Sequence, residues 1–346
     1  MTQTQIALFG AGGIGRTHID RLMRCDRLAL AAIADPSEAG KALAGQVGVR
    51  WFADHRSLLD AVKPQGAIIA TPNTLHVPMA LDCLERSVPV LVEKPMADTA
   101  AEAQTLVDAQ ARSGVAVLVG HHRRHNPINT RAREIVQSGK LGRLVSANVM
   151  ATFLKPDNYF DVQWRRLKGG GPILINLSHD IDMLRFFMGE IESVQAISSN
   201  AVRGFEVEDT SAVVLRFANG ALGTMILSDT VTSPWCWDFC AGEQDVYPRQ
   251  SVQSHFIGGT HGSLSLPDLA LWNYPGERSW HAEMTRSQSC VHQGDAYTRQ
   301  LQHFNAVIEG REQPLCSALD GLRTMQALLA IADAASSGST IRLIGT

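Results

Sequence analysis

The tightest constraint on this chain is a glycine spacing at the end of its first apolar run. Gln5-Ile6-Ala7-Leu8-Phe9 reads as a buried strand, and Gly10-Ala11-Gly12-Gly13-Ile14-Gly15 opens a helical pattern through Leu22 and Met23. A second buried strand, Leu28–Ala34, stops at Asp35. Each glycine has a physical task if the turn holds a dinucleotide. Gly10 permits the tight turn, Gly12 lets backbone approach a pyrophosphate, and Gly15 lets helix and strand pack closely. The N–H groups of the helix start, around Gly12, Gly13 and Ile14, then face the phosphates with the positive end of the helix dipole. Asp35 lies 20 residues past Gly15, where a carboxylate accepts hydrogen bonds from a ribose. Such turns also occur for structural reasons alone. Here the strand, the glycines, the helix, the second strand and its terminal Asp all fall in place.

Strands and helices then alternate. Helical patterns at Ser37–Gly45, Arg56–Val62, Leu75–Arg86 and Thr99–Ser113 separate strands at Val49–Phe52, Gly66–Ala70, Pro89–Val92 and Val115–Val119. This predicts an α/β domain over residues 1–122, a parallel sheet with helices on both faces. Ligands bind at the carboxyl ends of such strands. Those ends carry Gly10, Asp35, Thr71-Pro72-Asn73 with His76 beyond, Glu93-Lys94-Pro95 and Gly120-His121-His122. An ammonium at Lys94 can stabilise a developing alkoxide, although a Lys in a turn is also commonplace. Helix capping alone could explain Thr71 to His76. Adjacent histidines at 121 and 122 point apart if extended, which argues against a shared metal.

From residue 123 the pattern becomes strand-rich, predicting an α+β domain over 123–346 with a large, open, mainly antiparallel sheet. A helix over Asn126–Ser138 precedes strands at Leu144–Phe153, Ser193–Ser199, Thr210–Phe217, Ala221–Val231, Ser263–Leu266 and Leu269–Trp272. Ala218-Asn219-Gly220 is a hairpin turn between two of them. Helices return at Asp295–Glu309 and Ser317–Ala335, and 233–250 reads as a loop without a clear period. Gly169-Gly170-Gly171-Pro172 opens a helix on which Leu174, Leu177, Ile181, Leu184 and Met188 form one apolar face. His179 lies off that face, with Asn176 and Asp182 one turn to either side. It is either a proton carrier or a structural His bonded to its helix neighbours. Tyr159, Trp164 and Arg165 could line a polar pocket, or simply pack.

These motifs resemble the Gfo/Idh/MocA oxidoreductases in order and spacing over nearly the whole chain. The resemblance rests on Gly10 to Gly15, Asp35-Pro36, Thr71-Pro72-Asn73, Glu93-Lys94-Pro95, Gly169-Gly170-Gly171 and His179-x-x-Asp182. It implies a Rossmann domain followed by a substrate-binding sheet domain that commonly forms homodimers or homotetramers. It implies catalysis by Lys94 and His179, and cofactor contacts from Gly10, Gly12, Gly13, Ile14, Gly15, Asp35, Thr71, Pro72, Asn73, His76, Glu93 and Lys94. Substrate contacts would come from Lys94, Arg123, Tyr159, Trp164, Arg165, Asn176 and His179. The family pattern places an Asp four residues before the His, and this chain has Ile175 there, with Asn176 beside it. The expected activity is NAD-dependent oxidation of a secondary alcohol of a sugar, cyclitol or polyol. Asp35 favours NAD over NADP by repelling a 2′-phosphate. The alternatives are a dihydrodiol dehydrogenase and a non-catalytic dinucleotide-binding regulator.

Composition narrows the partners. A net charge of −3 gives no electrostatic reason to expect nucleic acid or an anionic membrane. The six cysteines are scattered without a C-x-x-C, so no metal site is expected, and Cys236 and Cys240 with His255 and His261 have the wrong spacing for zinc. No apolar run approaches a membrane span, and a cytoplasmic location is expected.

Overall fold

A computed structural model of the chain describes residues 3–292 and 294–343. It divides into two compact units, one comprising Met1–His125 with Gly294–Met325 and the other Asn126–Gln293 with Gln326–Thr346. The boundary expected after residue 122 thus falls after 125, and the second unit is not continuous in sequence. The reason is packing. Leu301, Phe304, Cys316, Ala318 and Leu322 are buried in the core of the first unit. Gly66 has no room for a Cβ there, because Ile308 Cδ1 would lie 2.5 Å from it.

The first unit is built on six strands: β1 (Thr4–Phe9), β2 (Leu28–Ala34), β3 (Arg50–Phe52), β4 (Gly66–Ile69), β5 (Val90–Val92) and β6 (Val117–Val119). All pairs are parallel, in the order β3-β2-β1-β4-β5-β6. The order reverses between β1 and β4, where such sheets bind their ligands. Apolar runs such as Ile6–Phe9 and Val90–Val92 are fully buried, as a sheet covered on both faces requires. The helices between them are α1 (Gly13–Leu22), α2 (Glu38–Val47), α3 (His55–Val62), α4 (His76–Glu85) and α5 (Ala100–Ser113).

The second unit begins with α6 (Pro127–Gln137) and β7 (Leu144–Thr152), then α7 (Pro172–Ile175) and α8 (Leu177–Met188). β8 (Ile191–Ser199), β9 (Thr210–Phe217) and β10 (Leu222–Ser228) follow, then α9 (Trp237–Ala241), β11 (His255–Gly259), β12 (Gly262–Leu266), β13 (Ala270–Asn273) and β14 (Thr285–Gln288). With β15 (Ile341–Arg342) they form a nine-stranded sheet ordered β14-β13-β12-β11-β7-β10-β9-β8-β15, in which β7 and β10 are the parallel pair. β9 shows the alternation of a half-covered sheet: Val213, Leu215 and Phe217 are buried while Ala212, Val214 and Arg216 are exposed. Ile197, Val214 and Phe256 lie on the exposed side at 78%, 47% and 44% exposure.

Two expectations change here. The 233–250 segment contains α9, anchored by Trp237, which is 2% exposed and donates Nε1–H to Glu243 at 3.2 Å. The single helix expected after the triple glycine is two, because Asn176 breaks it between α7 and α8. Leu174 is only half-buried. Leu177, Ile181, Leu184 and Met188 are in the core as expected.

Candidate functional site

The glycine turn has the geometry of a phosphate cradle. A Cβ at Gly10 would meet Ala70 O at 2.5 Å, and one at Gly15 would meet Gly10 O at 2.1 Å. Only glycine fits either position, and Gly10 also has a φ of +92°. A Cβ on Gly12 or Gly13 would meet nothing within 4 Å. Their bareness therefore serves space above the turn rather than packing beneath it. Gly12 is the N-cap of α1 and provides no side-chain cap, and the first turn holds no acid. The residues present fit a bound pyrophosphate.

Asp35 is fixed at the end of β2. Its Oδ2 accepts Ala11 N–H at 2.7 Å, and its Oδ1 accepts Ser37 N–H at 2.9 Å together with the Ser37 hydroxyl. Gly40 allows this: a Cβ there would lie 2.5 Å from Asp35 Cβ. Partial burial pushes the Asp35 carboxyl up, but the Ser37 and Ala11 hydrogen bonds and the Arg16 charge outweigh it and hold the pKa below the usual range. The carboxylate is thus ionised, oriented and tied to the glycine turn.

The strand ends at β4 and β5 are joined by His76. Its Nδ1 lies 2.9 Å from Pro95 O and its Nε2 2.8 Å from Thr71 O. Burial pushes its pKa down, against the pull of the two carbonyls, so the neutral ring donates to one carbonyl at a time. His76 is 1% exposed. It clamps Thr71 to the residue after Lys94.

Glu93 is likewise turned inward. Oε1 meets His18 Nε2 at 2.7 Å and Oε2 accepts Lys94 N–H at 3.2 Å. Burial pushes this carboxyl up, yet His18, His122 and the Lys94 amide together hold it below its usual range. Lys94 itself is half-buried. His121 and His122 do not extend β6, because 122–125 is a 3₁₀ turn in which His122, Arg123, Arg124 and His125 are all buried. Arg123, expected at the substrate, is 6% exposed.

The second unit holds a polar cluster around Lys155, which sequence reasoning missed. Lys155 Nζ donates to Asn176 Oδ1 at 2.8 Å and lies 3.4 Å from Asp229 Oδ2. Arg203 Nε donates to Asp229 Oδ1 at 3.0 Å. The Tyr159 ring carries Lys155 Nζ at 4.7 Å and the Arg165 guanidinium at 4.0 Å from its centroid. Burial pushes the Lys155 pKa down; Asp229 opposes this, and Arg203 and Arg165 add to it. Trp164 is 52% exposed, with its ring 5.7 Å from Arg165.

The triple glycine packs these parts together. A Cβ on Gly170 would strike Trp164 O at 2.2 Å, and one on Gly171 would strike Glu208 Oε1 at 2.3 Å. Glu208 Oε1 in turn accepts Ile173 N–H at 2.9 Å, satisfying the start of α7. His179 is half-buried on α8, one turn after Asn176. Asp182, expected in its relay, is 1% exposed. Asp180, 5% exposed, has its Oδ1 3.3 Å from His255 Nε2.

Tyr159, Arg165 and Asn176 are gathered around Lys155, a residue that the sequence reading did not single out. One signal could have found it: Lys155-Pro156 follows the end of β7, as Lys94-Pro95 follows β5. Asp229 and Arg203 had no local signal. Cys236 and Cys240 are buried, which pushes the Cys236 thiol up to about 12 and raises Cys240 as well.

Known proteins match this arrangement along its length. Residues 4–121 match the oxidoreductase family with the NAD-binding Rossmann fold, and 129–265 match the GFO/IDH/MocA C-terminal domain. The 1,5-anhydro-D-fructose reductase of Ensifer adhaerens is 26% identical over 97% of both chains. An inositol 2-dehydrogenase of Rubrobacter xylanophilus is 31% identical over 73% of this chain and 72% of its own. In fold, the WlbA dehydrogenase from Bordetella pertussis superposes with a TM-score of 0.78 over 100% of both chains at 24% identity. An NAD binding oxidoreductase from Klebsiella pneumoniae gives 0.82, also over 100% of both chains, at 20% identity. No helix among the described residues is long and apolar enough to cross a membrane. With both of its domains matched in order, the chain belongs to the GFO/IDH/MocA family and is an NAD(P)-dependent dehydrogenase acting on CH–OH groups.

Proposed function

We propose that this protein oxidises a secondary alcohol of a sugar, cyclitol or related polyol to the ketone, with NAD preferred over NADP. The carrying observation is Asp35, whose carboxylate is locked by Ala11 and Ser37 at the end of β2. A fixed, ionised carboxylate accepts ribose hydroxyls and repels a 2′-phosphate. The substrate class is supported by relatives whose names are 1,5-anhydro-D-fructose reductase, inositol 2-dehydrogenase and levoglucosan dehydrogenase. NAD, when bound, would supply the hydride acceptor. Lys94 hydrogen-bonds the reacting oxygen and stabilises its developing charge, and His179 takes the hydroxyl proton. Asn176, with Tyr159 and Arg165 beside it, holds the remaining substrate oxygens.

A homodimer or homotetramer would cover the exposed sheet face that carries Ile197, Val214 and Phe256. Six free cysteines support a reducing, cytoplasmic setting. The test follows NADH absorbance with inositol and levoglucosan in the presence of NAD or NADP, and with 1,5-anhydro-D-fructose in the presence of NADH. Turnover of none of the three, or a kcat/KM with NADP equal to that with NAD, refutes the reading.

A further inference from the structure

Asn176 stands where a helix N-cap belongs, and Asn is among the best capping residues. Its side chain caps nothing. Asn126, at the start of α6, does the usual thing and accepts Ile128 N–H through Oδ1 at 2.9 Å. Asn176 Oδ1 instead accepts from Lys155 Nζ at 2.8 Å. An ammonium only donates, so the carboxamide must turn its oxygen to Lys155 and its NH2 away. The flip of this side chain is therefore set by its neighbour's chemistry.

Lys155 is itself held in place. It is 6% exposed, with its ammonium between Asp229 Oδ2 at 3.4 Å and the Tyr159 ring at 4.7 Å. Asp229 is fixed by Arg203 Nε at 3.0 Å, and Arg203 Nη2 donates to the backbone carbonyls of Lys155 and Asp229 at 2.9 and 2.7 Å. A buried Lys–Asp pair is an expensive way to hold one amide if packing alone were the need.

We infer that Lys155 is a positioning residue that makes Asn176 an obligate hydrogen-bond donor to a substrate oxygen, one helical turn before His179. The oxygen recognised is one that accepts: a hydroxyl, ring ether or carbonyl. This inference rests on the substrate reading proposed above.

The test is a four-member cycle in the full chain: wild type, Lys155→Met, Asn176→Ala and the double variant. Met approximates the volume of Lys, and Asp229 keeps Arg203 as its partner. Melting temperature is read without substrate. NAD affinity is read by fluorescence titration, and KM and kcat with whichever of inositol, levoglucosan and 1,5-anhydro-D-fructose is turned over fastest. Each single variant is expected to raise KM about 10-fold, the equivalent of one buried hydrogen bond, with kcat and NAD affinity little changed. The double variant is expected to match Asn176→Ala in KM and to show sub-additive loss of melting temperature. Lys155→Arg, which keeps a donor, is expected to recover most of the KM. Additive effects in the melting cycle or in KM overturn the coupling. An Asn176→Ala variant with unaltered KM overturns the donor role and the placement of substrate on this helix, while the melting cycle still reads the coupling.

Discussion

Two lysines that precede a proline just past a strand, Lys94-Pro95 after β5 and Lys155-Pro156 after β7, are treated in opposite ways by the two units. At the first, burial falls on the neighbours. Glu93 is 5% exposed and bonded to His18, and His76 is 1% exposed and bonded to Thr71 and Pro95, while Lys94 stays half-buried. At the second, the ammonium itself is buried, on Asp229, Asn176 and Tyr159. A lysine that stays half-buried on buried supporting neighbours suits contact with a reacting atom. One whose ammonium is buried against an Asn and an Asp suits holding another side chain. A third such dipeptide, Lys63-Pro64, merely ends α3 with Lys63 in a left-handed conformation. Sequence alone does not separate the three.

The sharpest way to break this comparison is to remove each head in turn. Lys94→Ala is expected to lower kcat about 10³-fold with NAD affinity nearly intact, because a group assigned to the reacting oxygen acts in the chemical step. Lys155→Met should show its cost in KM instead. If Lys94→Ala keeps most of its kcat, the two lysines have the same supporting role.

His179→Ala comes next, with an expected loss of about 10²-fold in kcat/KM, the range for a general base. The acidic limb of the pH profile should disappear with it, since only a neutral imidazole accepts the alcohol proton. Persistence of that limb would transfer the base to another group, with Asp180 the first to examine because it is adjacent in sequence. Asp180 Oδ1 lies 3.3 Å from His255 Nε2.

Asp35→Ala carries a smaller expected effect, about 10-fold in kcat/KM for NAD, with a narrowing of the gap to NADP. Steady-state kinetics with both cofactors measures it. An unchanged ratio would mean that the carboxylate locked by Ala11 and Ser37 serves the turn and not the ribose.

How far the sequence made this legible differs between the units for a physical reason. In the first, function sits in local patterns: the glycines, the apolar runs and the strand-end residues lie within a few positions of one another. Even there, the side-chain partners of His76 and Glu93, which are Pro95 and Thr71 for one and His18 for the other, lie beyond any local pattern. In the second unit the organising contacts are long-range. Lys155 meets Asp229, and Asp229 meets Arg203, across strands whose register no periodicity reports. β11 went unread because its sequence, His-Phe-Ile-Gly-Gly, is short and ends in two glycines. The break at Asn176 was hidden by an apolar stripe that continues across it.

The buried Glu93 gives a pH test of the support beneath Lys94. Its folded pKa lies below the ordinary value of 4.5. Its stabilisation is therefore fully present above about pH 4.5 and is lost as pH falls through the lower folded value. Glu93→Gln should accordingly melt below wild type at pH 7, with the difference shrinking as the pH drops below about 4. A melting difference that is constant from pH 7 to pH 3 would show that the carboxylate charge contributes nothing, and that the His18 contact is a neutral hydrogen bond.

The smallest expected effect separates support of a helix from support of the cofactor within the first unit. Thr99 caps α5 through a reciprocal capping box with Glu102. Ser37 caps α2, accepting Gly40 N–H at 3.0 Å, and the same hydroxyl donates to Asp35 Oδ1. Loss of either cap by substitution with Ala should cost about 1 kcal/mol of stability. Only Ser37→Ala also removes the hydroxyl donor from Asp35 Oδ1, which keeps the Ser37 N–H and is held less firmly in the direction set by Ala11. The two variants should therefore melt alike, and only Ser37→Ala should weaken NAD binding, by about threefold, the lower end of one exposed hydrogen bond's worth. Calorimetric titration of NAD into both proteins reads the difference. Equal affinities would reduce the Ser37 hydroxyl to a cap, and the orientation of Asp35 would then rest on the backbone N–H groups of Ala11 and Ser37.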